Sequence, residues 1–371
     1  MTFSSRLLLT VLAMTAAAAP AQAMKLAFLA DFNLPSGTKV LGTDFGGLSG
    51  LVYDPATKST LLISDDKSQH QPARYYSAKI SLSGHTLRFK PIAFTTLLRP
   101  DGSTFPKDSI DPEAIAVLDG RSVFVSSEGN GKVEPRIPAG IFEIDAKGKV
   151  VRSLPVPEKF LAEPAGKQTR GTVDNCAFES LTVSPSRRSL FTATECPLVQ
   201  DDTPADFEKG ALSRILQYRV DGGRRVPVAE FGYYLEPNVK PAGATADYGN
   251  GLSELLALND HELLALERGA SGVGENAVDH IRIFRVTLDG ATDLKGLPTV
   301  KGKHIRLAKK ELVLDLDQIL RDLDPKWRSL DNLEGMAFGP RLPNGNRTLL
   351  LVSDDNYNPK QRTQLLAFEI R

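Results

Sequence analysis

The 371-residue sequence predicts an all-β chain folded as a β-propeller of about five four-stranded blades. Two observations predict it. One hairpin pattern recurs along the chain, and an unpaired strand stands at each end of the sequence. A third, an acid closing each hairpin, points to where the chemistry lies.

The composition sets the frame. Lys plus Arg and Asp plus Glu each number 45, and 41% of the residues are hydrophobic, which describes a globular chain rather than a disordered or collagenous one. A balanced charge gives no global field to draw a polyanion, so nucleic acid is not an expected partner. No segment is long and apolar enough to span a membrane. Nothing in the pattern calls for an oligomer, and a monomer is expected.

Residues 1–23 read as a cleavable signal peptide, cut after Ala23. Arg6 precedes the apolar stretch Leu7 to Met14, and Ala21-Gln22-Ala23 supplies the small-residue cleavage site. Residues 24–371 are then one exported propeller domain, periplasmic or secreted. Export permits a disulfide between the two cysteines, Cys176 and Cys196. Both flank a hairpin turning at Ser184-Pro185-Ser186-Arg187, in a register that sets them opposite each other.

Each copy of the repeat opens on a small or acidic residue, turns, and returns on a strand that ends in an acid. The copies open at Ser49, Glu113, Glu179, Glu254 and Glu334 and close at Asp65-Asp66, Glu128, Glu195, Glu267 and Asp354-Asp355. Further strand-like runs fill the gaps, among them Arg74 to Ser81, Gly140 to Asp145, Ile215 to Val220 and His280 to Leu288. A hairpin with an outer pair of strands cannot bury both faces alone, so the units must stack on one another. The last copy, however, has only one outer strand, Gln364 to Ile370. Lys25 to Ala30 supplies the missing strand and closes the ring. The interval between Glu267 and Glu334 is long enough for a sixth blade, with 309–324 as an outer strand or short helix. Two all-β domains divided near Ala165 are the competing architecture.

In a hairpin the first residue of one strand lies beside the last of the other. Placed innermost, the five hairpins gather Asp65, Asp66, Glu113, Glu128, Glu179, Glu195, Glu254, Glu267, Glu334, Asp354 and Asp355 at one mouth of the channel. Two like charges roughly 4 Å apart repel by about 4 kcal/mol at an effective dielectric of 20, so compensation is required. Hard oxygen donors with no paired histidines or free thiols favour Ca²⁺, or Mg²⁺, over zinc. Alternatively, individual acids accept backbone N–H groups of the next blade and hold no metal. Lys67, Arg136 and Arg268 are the cations close to the closing acids, and Asn356 follows the last pair. Gly269 to Gly274 reads as a mobile rim loop rather than a phosphate cradle. No nucleophile elbow, P-loop or dinucleotide fingerprint is present.

The stretches Asp111-Pro112-Glu113-Ala114-Ile115-Ala116-Val117 with Ser126-Ser127-Glu128-Gly129, and Asn332-Leu333-Glu334-Gly335-Met336-Ala337 with Leu351 to Asn356, resemble the phytase-like family described as having esterase-like activity. The likeness runs from about Phe45 to Phe368. It implies a secreted or periplasmic propeller that hydrolyses a small-molecule ester, such as a phosphate monoester, with Ca²⁺ on the rim carboxylates. Lys67, Arg136, Arg268 and Asn356 would then face the substrate, and an unliganded carboxylate would be the base. The full acidic signature of the propeller phytases is absent, so their catalytic residues are not carried over. Lactone hydrolysis in the channel, or a non-catalytic binding propeller stapled by calcium, are the competing functions.

Overall fold

The computed structural model describes residues 24–119, 122–274 and 276–371. The proposed signal peptide lies outside them. Five four-stranded antiparallel sheets form a five-bladed β-propeller. Blade 1 comprises Gly50–Asp54, Ser59–Ile63, Arg74–Ser83 and Thr86–Thr96. Blade 2 comprises Pro112–Val117, Val123–Ser127, Gly140–Ile144 and Val150–Ser153. Blade 3 comprises Thr182–Val183, Ser189–Ala193, Ala211–Arg219 and Val226–Leu235. Blade 4 comprises Ala244–Ala257, Glu262–Val273, Asn276–Thr287 and Lys309–Asp315.

Blade 5 takes its inner three strands, Leu333–Phe338, Thr348–Ser353 and Arg362–Ile370, from the C-terminus and its outermost, Leu26–Pro35, from the N-terminal end of the described chain. Leu26 pairs with Ile370 and Pro35 with Arg362, so the ring closes as its unpaired end strands predict. There is no sixth blade among the described residues. The interval after Glu267 is consumed by the long outer strands of blade 4, followed by short 3₁₀ turns at Leu316–Ile319 and Pro325–Trp327.

Side-chain alternation explains how the blades cohere. Adjacent residues of a strand face opposite sides, so an inner strand between two neighbours must be apolar on both. In blade 5, Leu349 and Leu351 pack with Leu264, Leu266 and Ile283 of blade 4, whereas Leu350 and Val352 pack with Leu51, Leu62 and Tyr76 of blade 1. Three further clusters fill the remaining blade interfaces. The one between blades 2 and 3 joins Phe124 and Leu154 to Phe178 and Leu216 across the segment around Ala165, where a domain boundary was the alternative. Outer strands face water and alternate instead, as in Thr86–Thr96. A buried leucine truncated to alanine costs about 2–5 kcal/mol, so Leu350 is a strong point of the closure.

The opening acids sit on irregular backbone. The pairing shifts by a bulge between Pro112 and Ile115, between Leu252 and Glu254, and between Leu333 and Gly335. Bulges re-aim side chains, and here they turn the opening acids out of the ladder's alternation. In blade 3 residues 177–181 lie outside the regular ladder and are held to the return strand by the bridge from Phe178 to Thr194 and by the Glu195 N–H, which donates to the Ala177 carbonyl. Side chains replace the missing ladder: the Ala193 N–H donates to Ser180 Oγ (2.9 Å), and the Ala177 N–H donates to Glu128. The same register brings Cys176 opposite Cys196, with Cα atoms 5.4 Å apart in a disulfide.

Candidate functional site

The closing positions repeat one geometry. The N–H groups of Asp65, Glu128, Glu195 and Asp354 donate to the carbonyls of Gly47, Asp111, Ala177 and Asn332, each two residues before its blade's opening residue. This equivalence delivers one closing carboxylate from each of blades 1, 2, 3 and 5 to the same end of the ring. Two glycines make the approach possible: a Cβ on Gly251 would collide with the Glu195 carboxylate, and one on Gly47, which has φ +63°, with that of Asp65.

The densest part of the site lies on blade 2. One carboxylate oxygen each from Asp111, Glu113 and Glu128 lies within 4.8 Å of the others, and all three residues are buried. Asp111 and Glu113 share a hydrogen bond, and so do Glu128 and Glu179. Lys67 Nζ donates to Asp111 Oδ2 and, at 3.2 Å, to Asn175 Oδ1. Asp111 Oδ1 is nonetheless buried without a partner. Asp111 was not among the candidate acids. Its signal was its place two residues before Glu113, directly across from Glu128.

The other acids follow around the ring. Glu179 feels Glu128, Glu195 and Glu334, while Asp354 feels Asp65 and Glu334. Arg268 reaches across this group, with Nη2 3.0 Å from Glu195 Oε1 and Nε 3.4 Å from Glu334 Oε1. Asp279, also missed in sequence, lies in the field of Arg268 and Asp331.

Burial dominates the electrostatics, and like charges add to it. Burial pushes Glu113 well above the carboxylate range, with Glu179 and Asp111 raising it further. Asp65, Glu179 and Asp354 rise well for the same two reasons. Glu128 is pushed up to about 8 by burial and then by Asp111 and Glu195. Glu334 reaches about 7, burial outweighing the opposing pull of Arg268. Burial works against the charge of Lys67, yet the Asp111 carboxylate keeps that amine protonated.

Four of the expected site residues are spent on structure. Asp66 binds Arg74 at 2.7 Å and accepts the N–H groups of Gln69, His70 and Gln71, fixing a loop. Asp355 accepts the Gly47 N–H at 2.9 Å, although its Oδ2 is partnerless. Glu254 accepts the N–H groups of Leu181, Leu255 and Met336, tying blades 3, 4 and 5 together. Arg136 donates to the carbonyls of Glu163 (2.7 Å) and Gly166 (2.6 Å), pinning a loop. Asn356 is exposed, and its backbone N–H donates to Asp354 Oδ1 at 2.7 Å.

Glu267 also leaves the group. It turns toward blade 3, accepting from Tyr233 Oη of that blade (2.7 Å) and from Asn250 Nδ2 (2.8 Å) and Lys310 Nζ (2.6 Å) of its own. Its neighbour Arg268 takes the inward face instead, because consecutive strand residues point oppositely. Gly269 to Gly274 is not a free rim loop: Val273 pairs with both Ala244 and Asn276.

The model of the phytase-like family, described as esterase-like activity of phytase, matches residues 43–357. No curated protein matches the sequence. Among solved structures, an endo-arabinase from Bacteroides thetaiotaomicron is 12% identical with a TM-score of 0.41, over 90% of this chain and 96% of that one. A candidate 6-phosphogluconolactonase from Bacteroides uniformis is 12% identical with a TM-score of 0.30, over 87% and 81%.

Proposed function

Because the chain belongs to the phytase-like family, we propose that it hydrolyses a small-molecule ester at the acidic end of its channel, with a divalent cation held by Asp111, Glu113 and Glu128. One observation carries this reading: three buried carboxylates converge within 4.8 Å, and Asp111 Oδ1 has no partner there. The donors are hard oxygens without thiolate or imidazole, which suits Ca²⁺ or Mg²⁺. When bound, such a cation stabilises negative charge on an ester oxygen and lowers the pKa of a coordinated water.

The chain's own residues supply the rest. Lys67 fixes Asp111 in place from one side, and Asn175 fixes Lys67. Glu179, hydrogen-bonded to Glu128 and pushed well upward by burial, is placed to pass a proton to or from that neighbour. Arg268 orients Glu195 and Glu334 across the channel. The Cys176–Cys196 disulfide supports the further proposal that the protein works outside the cytoplasm.

A second reading, a cation that only staples the blades, is favoured by the low exposure of Asp111, Glu113 and Glu128, at 4%, 6% and 7%. Hydrolysis of 4-nitrophenyl phosphate and 4-nitrophenyl butyrate, each with calcium and with EDTA, separates the two when melting is followed in the same samples. Chelator-sensitive turnover is the expected result. No turnover, with EDTA only lowering the melting temperature, overturns catalysis in favour of the staple.

A further inference from the structure

Beside the carboxylate group lies a cavity of about 170 Å³, with Glu128 and Asp174 on its wall. Most of the rest is apolar: Ile137, Pro138 and Ala139 from blade 2, and Leu161, Ala162 and Val173 from the segment that leads into blade 3. Two of the remaining polar side chains are already bound to backbone carbonyls. Both terminal nitrogens of Arg136 are bound to backbone carbonyls, and Gln168 Nε2 donates to the carbonyls of Arg170 and Thr172. Both cations of the acidic group are committed to its carboxylates, Lys67 to Asp111 and Arg268 to Glu195 and Glu334. Lys132, which is 81% exposed, sits 3.5 Å from Asp174.

We propose that this cavity is the substrate pocket, and that it takes the compact, uncharged acyl or aryl portion of an ester whose reacting carbonyl meets Glu128 and its neighbours. An apolar cavity of about 150 Å³ accepts benzene, so the present volume suits one aromatic ring or a short alkyl chain. A polyphosphorylated ester finds neither the volume nor an uncommitted cation here. The proposal rests on the hydrolase reading for its reaction but not for its pocket. In the reaction water adds to the ester carbonyl and the C–O bond to the alcohol breaks, the alcohol leaving with the proton that water gives up.

The test uses the calcium-loaded protein and two variants that fill the cavity from its loop wall, Ala162→Leu and Ala162→Trp. Binding of 4-nitrophenol is read by saturation-transfer NMR, and turnover is measured with 4-nitrophenyl butyrate, 4-nitrophenyl phosphate and inositol hexakisphosphate. Expected is 4-nitrophenol binding that weakens in Ala162→Leu and disappears in Ala162→Trp, with unchanged melting. For the butyrate ester, KM should rise about 10-fold or more in Ala162→Trp with kcat little changed. Binding that behaves this way without turnover of any ester keeps the pocket and sinks only the hydrolase reading. Binding absent from the parent protein, binding indifferent to both variants, or faster turnover of either phosphate ester than of the butyrate overturns the pocket.

Discussion

Replacing Glu254 separates an acid that locks the ring from those that serve the site. Its carboxylate accepts three N–H groups, those of Leu181, Leu255 and Met336, and these residues are 3%, 1% and 1% exposed. In Glu254→Ala all three donors lose their acceptor in a dry interface between three blades. Each stranded donor costs about 1–3 kcal/mol, which alone gives a loss of about 3 kcal/mol at the low end. Release of a carboxyl that burial pushes well upward returns part of it. Glu254→Gln keeps one carbonyl oxygen for the same donors and should lose about 1 kcal/mol. Urea unfolding followed by tryptophan fluorescence and circular dichroism reads both, and calcium binding is titrated by calorimetry. The reasoning predicts a lower urea midpoint in Glu254→Ala, a smaller fall in Glu254→Gln, and calcium affinity unchanged in the variant that stays folded. An alanine variant as stable as the parent but weaker for calcium would refute it, since Glu254 would then be a ligand.

The acidic group also predicts a pH dependence opposite to that of most proteins. Burial and like charge raise Glu128 to about 8 and Glu334 to about 7, so the native state binds more protons than the unfolded chain above about pH 4.5. In EDTA the urea midpoint should therefore fall as pH rises from 5 to 8, by about a few kcal/mol in stability, and calcium should flatten that slope. A chelated protein more stable at pH 8 than at pH 5 contradicts the assignment. Removing the disulfide as Cys176→Ser with Cys196→Ser opens a loop closed over a separation of 20 residues and should cost about 3 kcal/mol, read as a lower urea midpoint that added reductant does not lower further.

The architecture was legible because its signals are local and repeated. Hairpin copies, the odd strand at each end and the register about Ser184 to Arg187 all follow from sequence neighbours, and each reappears in the ring, its closure and the cysteine pair. Side-chain direction was less legible. A single residue of register decides whether Glu267 or Arg268 faces inward, and the shift between Leu252 and Glu254 sits in that hairpin. The shorter fourth copy, Glu254 to Glu267, was the available sign. Asp111 escaped notice because it precedes its strand, and its role comes from Glu128 across the hairpin and from Lys67 on blade 1. The cavity was not legible at all, because Arg136 and Glu163 meet only through the folded loop.

The acids divide by whether backbone donors reach them. Glu254, Asp66 and Asp355 accept peptide N–H groups, so they act as fasteners between loops and blades. Asp111 and Glu113 are instead hydrogen-bonded to each other, and Glu128 combines one such donor with its bond to Glu179. Such pairs are stable only with a shared proton or a cation between them. A fold that needed these carboxylates solely for cohesion would gain by giving Asp111 and Glu113 their own N–H donors, as it does at Glu254. Leaving three of them to converge, with one oxygen of Asp111 unpartnered, stores an affinity for positive charge at one place in the ring. That place adjoins an apolar cavity with Glu128 on its wall, and the coincidence joins the proposed chemistry to its proposed substrate.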